Sequence, residues 1–328
     1  MDRRRFLKLT GMASAISVSD AWPSFADPAF PTRAVTIVTG VAAGGQADLA
    51  ARPAAQGLSE VFGKPVIVDN RVGAGGALGA AYVLKADHDG YTMFMALSAA
   101  VVLPEAERIA GRKPLYEMSE FDPVARVLGD ANLLAVPADS PYKTVADVVK
   151  DAKARPGEIP YSSSGNYGGV HLSIEMFAQA AGIKLLHIPF RGGGQALTSL
   201  MGNQVAITAL GAGPLKAYSD SGKLRVLATF GPERHPAFPD APTFKEAGFD
   251  NVVFNAWVGL FLPKGVPADV FQRVREGMKK VMTSPEILAI YEKAGSPAAY
   301  MDTPEFKQYV AEDTARLVKV VQSIGKLE

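Results

Sequence analysis

Residues 35–62 read VTIVTGVAAGGQADLAARPAAQGLSEVF, and they change character twice within thirty residues. Val35, Thr36, Ile37, Val38 and Thr39 form a β-branched run with no charge, the composition of a strand buried on both faces of a mostly parallel sheet. Residues 40–45 are small and glycine-rich. From Asp48 onward Ala51, Ala54 or Ala55, Leu58, Val61 and Phe62 recur at helical spacing, so the stretch predicts strand, loop, helix. Ligands of open α/β sheets bind beyond the carboxyl ends of strands, where the next helix offers unpaired N–H groups and the positive end of its dipole. Ala42, Ala43, Gly44 and Gly45 are therefore a candidate anion cradle, with Asp48 beside it. One such loop taken alone reads better as an ordinary βα turn capped by Asp48, so the argument needs a second.

The second lies at residues 159–172, IPYSSSGNYGGVHL. A short lead-in reaches Ser163, Ser164, Gly165, Asn166, Tyr167 and Gly168, and then Leu172, Ile174, Met176, Phe177 and Ala180 mark a helix ended by Gly182. Hydroxyls and unpaired amides together suit carboxylate or phosphate oxygens. Two such loops in different halves of the chain favour a shared anion site over two solvated turns. Two further residues join them. Ser98 follows a predicted strand at 91–96, and Arg191 follows one at 185–190, where it would either clamp a carboxylate or pair with a neighbouring acid.

Composition narrows the function classes. The 328 residues are 48% hydrophobic, enough for a large core and two domains. Lys and Arg number 34 against 33 Asp and Glu, spread without long blocks, so nothing marks nucleic acid or an anionic membrane as partner. The chain has no Cys, which removes disulfides, thiol nucleophiles and thiolate metal sites. At the N-terminus, Arg3-Arg4-Arg5-Phe6-Leu7-Lys8 is followed by a mildly apolar stretch and by Ser24-Phe25-Ala26, the layout of an export signal over residues 1–26, with a mature start at Asp27. It resembles the twin-arginine pattern, with Asp2 where Ser or Thr is usual. The apolar part is shorter than the ~20 residues a membrane-spanning helix needs.

Catalytic signatures are missing. The glycines at 73–79 lack the G-x-G-x-x-G spacing because Leu78 holds the last position, and there is no P-loop, G-x-S-x-G elbow or H-E-x-x-H. His171 and Glu175 share a helix face, but two ligands without partners read as a helix-start pair rather than a metal site. His88, His187 and His235 are scattered. The expectation is no catalytic residue, no metal and no cofactor. An α/β hydrolase or dehydrogenase acting on a small anion is the alternative, since fold does not fix function. Residues 105–119 are polar with Gly111 and Pro114 and read as a mobile excursion.

In order along the chain stand AAGGQAD at 42–48, VDNRVGAGG at 68–76, DGYT at 89–92, YSSSGNYGGVHL at 161–172, PFRGGGQAL at 189–197, APTFKEAGF at 241–249 and the strand around Trp257. This constellation resembles the Bug or TctC family of periplasmic solute-binding proteins, which serve tripartite tricarboxylate transporters. The resemblance implies an α/β, two-lobed, hinged protein of the Venus flytrap type, with a mostly parallel sheet flanked by helices in each lobe. Lobe 1 would comprise residues 27–130 and 252–328, and lobe 2 residues 131–251. It further implies a periplasmic monomer that binds a small organic carboxylate between the lobes and offers it to membrane transporter subunits, or a binding lobe recruited to sensing. Pro53, Tyr167, Gly168, Ala206 and Ala209 depart from the family's usual residues. Pro53 should kink its helix, and losing an acid near the cleft while gaining a Tyr ring would favour a less cationic, aromatic or bulkier carboxylate.

Overall fold

The structure, a computed structural model, describes residues 30–294 and 298–327. The expected export signal at 1–26 lies outside the described residues. The chain opens with β1 Val35–Thr39, α1 Gln46–Phe62, β2 Val66–Asn70, α2 Ala77–Lys85, β3 Thr92–Leu97, α3 Leu103–Ile109 and β4 Phe121–Ala131. It continues with β5 Leu133–Pro137, α4 Val145–Ala154, β6 Pro160–Ser163, α5 Gly169–Ala181, β7 Leu186–Pro189, α6 Gly193–Met201, β8 Thr208–Leu210, α7 Ala212–Asp220 and β9 Leu224–Thr229. It ends with β10 Asn255–Pro263, α8 Ala268–Val281, α9 Pro285–Lys293, β11 Ala298–Met301 and α10 Thr303–Ile324.

A six-stranded sheet has the order β11-β4-β10-β3-β1-β2; beyond it stand a β8-β5-β9 sheet and a β6-β7 pair. The chain crosses from the large sheet to the smaller ones at Asn132, between β4 and β5, and returns after β9 into β10. Backbone bonds tie the crossings, Phe230 N–H to Asn132 O at 2.8 Å and Phe254 N–H to Phe230 O at 2.8 Å. These crossings correct the expected mostly parallel sheets. β1 is parallel to β2 and β3, but β10 re-enters from the far side and runs antiparallel to both β3 and β4, while β5 is antiparallel to both neighbours. The architecture is two-lobed, with mixed sheets flanked by helices.

The same directions decide where the loops emerge. β4 runs toward the crossing and β10 away from it, so β3, antiparallel to β10, and β1, parallel to β3, both point their carboxyl ends at the crossing. In the other lobe β5 leaves the crossing, so β8 returns toward it; β6 is parallel to the β8 lead-in through Tyr161 and Ile207, and β7 is parallel to β6. The loops after β1, β3, β6 and β7 thus all open at the ends where the chain passes between lobes.

Two apolar clusters hold these sheets. One face of the large sheet packs Ile37, Met93 and Leu260 against Leu58 of α1 and Met278 of α8. The other cluster runs from Val38 and Phe94 through Trp257, Phe254 and α10 into the second lobe. Trp257 is fully buried, and its Nε1–H donates to Asp313 Oδ2 at 2.7 Å, fixing β10 to α10. Helix α1 runs through Pro53 without a break. Residues 105–119 are anchored rather than a free excursion: α3 begins the segment, and the buried Tyr116 hydroxyl donates to Ala100 O at 2.6 Å.

Candidate functional site

The loop after β1 is shaped by one carboxylate. Asp48, in the first turn of α1, is 1% exposed. Its Oδ2 accepts the Gly44 N–H at 2.9 Å and Arg52 Nε at 2.8 Å, and its Oδ1 accepts Arg52 and the Asn70 amide. Asn70, at the end of β2, also donates to Thr39 Oγ1 and Val41 O. Burial alone would raise the Asp48 carboxyl, but hydrogen bonds from Arg52, Gly44 and Asn70 together take it below the usual range. A Cβ on Gly40 would stand 2.4 Å from Gly76 Cα, so the GAGG run at 73–76 packs backbone to backbone against the first loop. Ser98 is buried at the end of β3, whose register beside β1 sets it next to this loop.

The loop after β6 is shaped by imidazoles and hydroxyls. The Tyr167 N–H donates to His171 Nδ1 at 3.0 Å, and Ser163 Oγ lies 2.6 Å from His187 Nε2. The rings of His171 and His187 stack at 4.0 Å with 10° between planes, and Tyr161 stacks on His187 at 5.0 Å. The Tyr161 hydroxyl donates to Glu175 Oε1 at 2.5 Å. Burial, and then the neighbouring imidazole, lowers His171 to about 3; burial lowers His187 to about 4. Burial raises Glu175, the Tyr161 hydrogen bond opposing it in part. Both imidazoles are neutral at pH 7. Asn132, at the crossing, donates to Gly169 O and to Ser173 Oγ, so the same helix start is tied to the passage between lobes.

The structure brings the expected residues together in two groups and changes what several of them do. Asp48 and Ser163 are buried with their side-chain oxygens engaged, so they shape loops rather than line a cleft. The Gly44 N–H is held by Asp48 and the Gly45 N–H by Ala42 O, which corrects their expected use as ligand donors. In the second loop, Gly165, Tyr167 and Gly168 N–H are likewise held, by Ser163 Oγ, His171 and Gly165 O. The amides of Ala43, Gln46 and Ala47 in one loop, and of Ser164, Asn166, Gly169 and Val170 in the other, have no acceptor among the described residues.

Tyr167 departs furthest from expectation. It is buried at φ +56°, a conformation costing about 1 kcal/mol for a side-chain-bearing residue. Its hydroxyl donates to Gly325 O at 2.8 Å and accepts the Leu327 N–H. The ring is therefore spent on the segment after α10, and the aromatic-ligand expectation that rested on it loses its basis. Ala209 is buried inside β8. Arg191 is exposed in the loop after β7, beside the Ser/Gly loop, where Phe190 N–H donates to Ser163 O; its guanidinium has no ion pair among the described residues. His171 and Glu175 are engaged by Tyr167 and Tyr161, and no metal-competent cluster occurs among the described residues. Sequence reasoning missed Arg52, Asn70, Asn132 and His187. The Asp48-x-x-x-Arg52 spacing was a usable signal; the others depend on strand register.

Comparison with known proteins bears on the family and the fold. Residues 50–326 match the family described as "Tripartite tricarboxylate transporter family receptor", TctC. The chain belongs to this family. A Cupriavidus necator protein from the gbd 5′ region is 34% identical, covering 99% of this chain and 98% of its own length. Two similar structures from Rhodopseudomonas palustris carry carboxylates. Rpa4515, solved with adipate, has 28% identity and a TM-score of 0.81 over 91% of this chain and 100% of its own. MatC, with bound malate, has 25% identity and a TM-score of 0.78 over 89% and 100%. The family and fold are those of periplasmic solute-binding proteins. No helix among the described residues is long and apolar enough to cross a membrane.

Proposed function

We propose that the chain is an extracytoplasmic binding protein, not an enzyme, which captures a small organic carboxylate between two lobes. It then presents the anion to a tripartite tricarboxylate-type membrane transporter. Lobe 1 would comprise residues 27–130 and 252–328, and lobe 2 residues 131–251. One observation carries the reading: loops from two separate sheets open at the ends joined by the crossings, and each begins a helix whose first amides have no acceptor among the described residues. Ala43, Gln46 and Ala47 from one side, with Ser164, Asn166 and Gly169 from the other, would bind carboxylate oxygens directly or through water. Arg191 and Ser98 would contact the remainder of the ligand. Closure on the anion would then favour the state that membrane partners recognise. The adipate and malate complexes of relatives support a carboxylate as ligand.

The test is a thermal-shift panel on the chain expressed from Asp27, using malate, adipate, citrate, benzoate and glucose. A ligand at about 100 times its Kd stabilises the native state by about 2.7 kcal/mol. A rise in Tm with carboxylates but not with glucose is expected; a shift with glucose alone would overturn the anion assignment. Cells lacking the chain should also lose uptake of the carboxylate that shifts Tm.

A further inference from the structure

Beneath the Ser/Gly loop lie two histidines that the proposed ligand contacts do not use. Tyr167 has its backbone in a conformation that favours glycine, and His171, four residues on, accepts its N–H at 3.0 Å. That bond requires Nδ1 to be unprotonated, so a neutral His171 carries its proton on Nε2. On the adjoining strand His187 meets Ser163 Oγ at 2.6 Å, and Ser163 Oγ accepts the Gly165 N–H at 3.2 Å. The imidazoles lie face to face. Two ends of one short loop are therefore pinned by a single ring stack, which the register pairing of Tyr161 with His187 and the first turn of α5 bring together.

We propose that His171 and His187 are positioning residues for anion binding, neutral imidazoles that hold the Tyr167 N–H and the Ser163 hydroxyl so that the Ser164 and Asn166 amides point out of the loop. The inference rests on the reading that this loop receives the ligand's carboxylate. Its chemistry follows from acceptor supply. Protonation of His171 would convert Nδ1 from acceptor to donor, set two N–H groups against each other and release the loop. The titratable groups facing the pair are Tyr161 from β6, Glu175 one turn along α5 and Tyr167 from the loop itself. None of them offers a positive charge.

The experiment separates an acceptor from a space-filling ring. His171→Asn keeps an oxygen acceptor where Nδ1 stands but loses volume; His171→Leu keeps volume but loses the acceptor. Single-residue amide exchange on the ligand-free chain should show Tyr167 about tenfold faster in His171→Leu and near wild type in His171→Asn. The reverse order, or equal exchange in both variants, would overturn the clamp. Should the variants not fold, ring ¹⁵N spectra of the wild-type protein at pH 7 decide the matter: unprotonated His171 Nδ1 is expected, and a protonated one is fatal. Malate and adipate thermal shifts are measured alongside. Wild-type protein that ignores these and the other carboxylates of the panel would sink the carboxylate reading while leaving the exchange result standing, so the two failures are distinguishable.

Discussion

The loop after β1 is braced by a carboxylate that stays charged, whereas the loop after β6 is braced by imidazoles that stay neutral. Both occupy the same position, between a buried strand and a helix start. Asp48 gathers Gly44, Arg52 and Asn70 around a single charge, and the Ser/Gly loop is held by stacked rings with a hydrogen bond at each end. The difference teaches that a loop offering its amides to an anion cannot keep a bare acid beside the ligand. The first loop turns its acid inward and neutralises it with Arg52, while the second dispenses with charge altogether.

The largest break is Asp48→Ala. It leaves the Gly44 N–H without its acceptor, takes from the Asn70 amide one of its three, and removes the charge that holds Arg52 in a partly buried site, so stability should fall by about 3 kcal/mol. The denaturant midpoint should drop with an unchanged m-value, and malate and adipate shifts should vanish. A smaller effect comes from pH, and it should separate the loops. The histidines titrate near 6.5 in the unfolded chain but at about 3 and about 4 when folded. Below 6.5 the unfolded state takes up protons that the native state cannot, so stability is lost as pH falls from about 6.5 toward 4. At pH 5 His171 accounts for at most about 2 kcal/mol, which His171→Asn should abolish from the pH profile. Glu175, raised by burial, works in the opposite direction and costs stability as pH rises past its ordinary 4.5. Asp48 is lowered, so its contribution persists to pH values below its ordinary 3.8 and is lost only there. Chemical denaturation at pH 7, 5 and 3.5 should resolve the two windows.

Much of this was legible before the structure. The α1 stretch, the Thr144 start of α4 and the strand at Trp257 follow from periodicity and capping, because those signals are local. β4 was not legible. Pro123, Arg126 and Asp130 interrupt its apolar run, and what makes it a strand is pairing with β10 more than a hundred residues on, where Pro123 falls at a register shift. The loops were found as loops, but which amides remain free was beyond sequence, since that turns on where Asp48 and His171 direct their acceptors. His187 looked isolated because only the register of β6 with β7 brings it against Tyr161. Sheet direction failed for the same reason. Local composition marks a buried strand, but its sense is set by the crossings.

Arg52→Met asks whether the first brace works by charge or by hydrogen bonds, and its effect should be the smallest. The Arg52 side chain is 54% exposed, so water screens the pair and solvates the guanidinium in either state. An ion pair so placed contributes little to stability. Without it, Asp48 still accepts from Gly44 and Asn70, and the loop should keep its shape. Carboxylate shifts at pH 7 should therefore match wild type, while the acid limb of the stability profile moves to higher pH, because Arg52's hydrogen bonds are the largest influence lowering that carboxyl. A loss as large as that of Asp48→Ala would mean that the guanidinium, not the backbone contact, shapes the cradle. In that case the two loops would differ less than their residues suggest, each depending on a side chain one turn into its helix rather than on the acceptor that faces the loop.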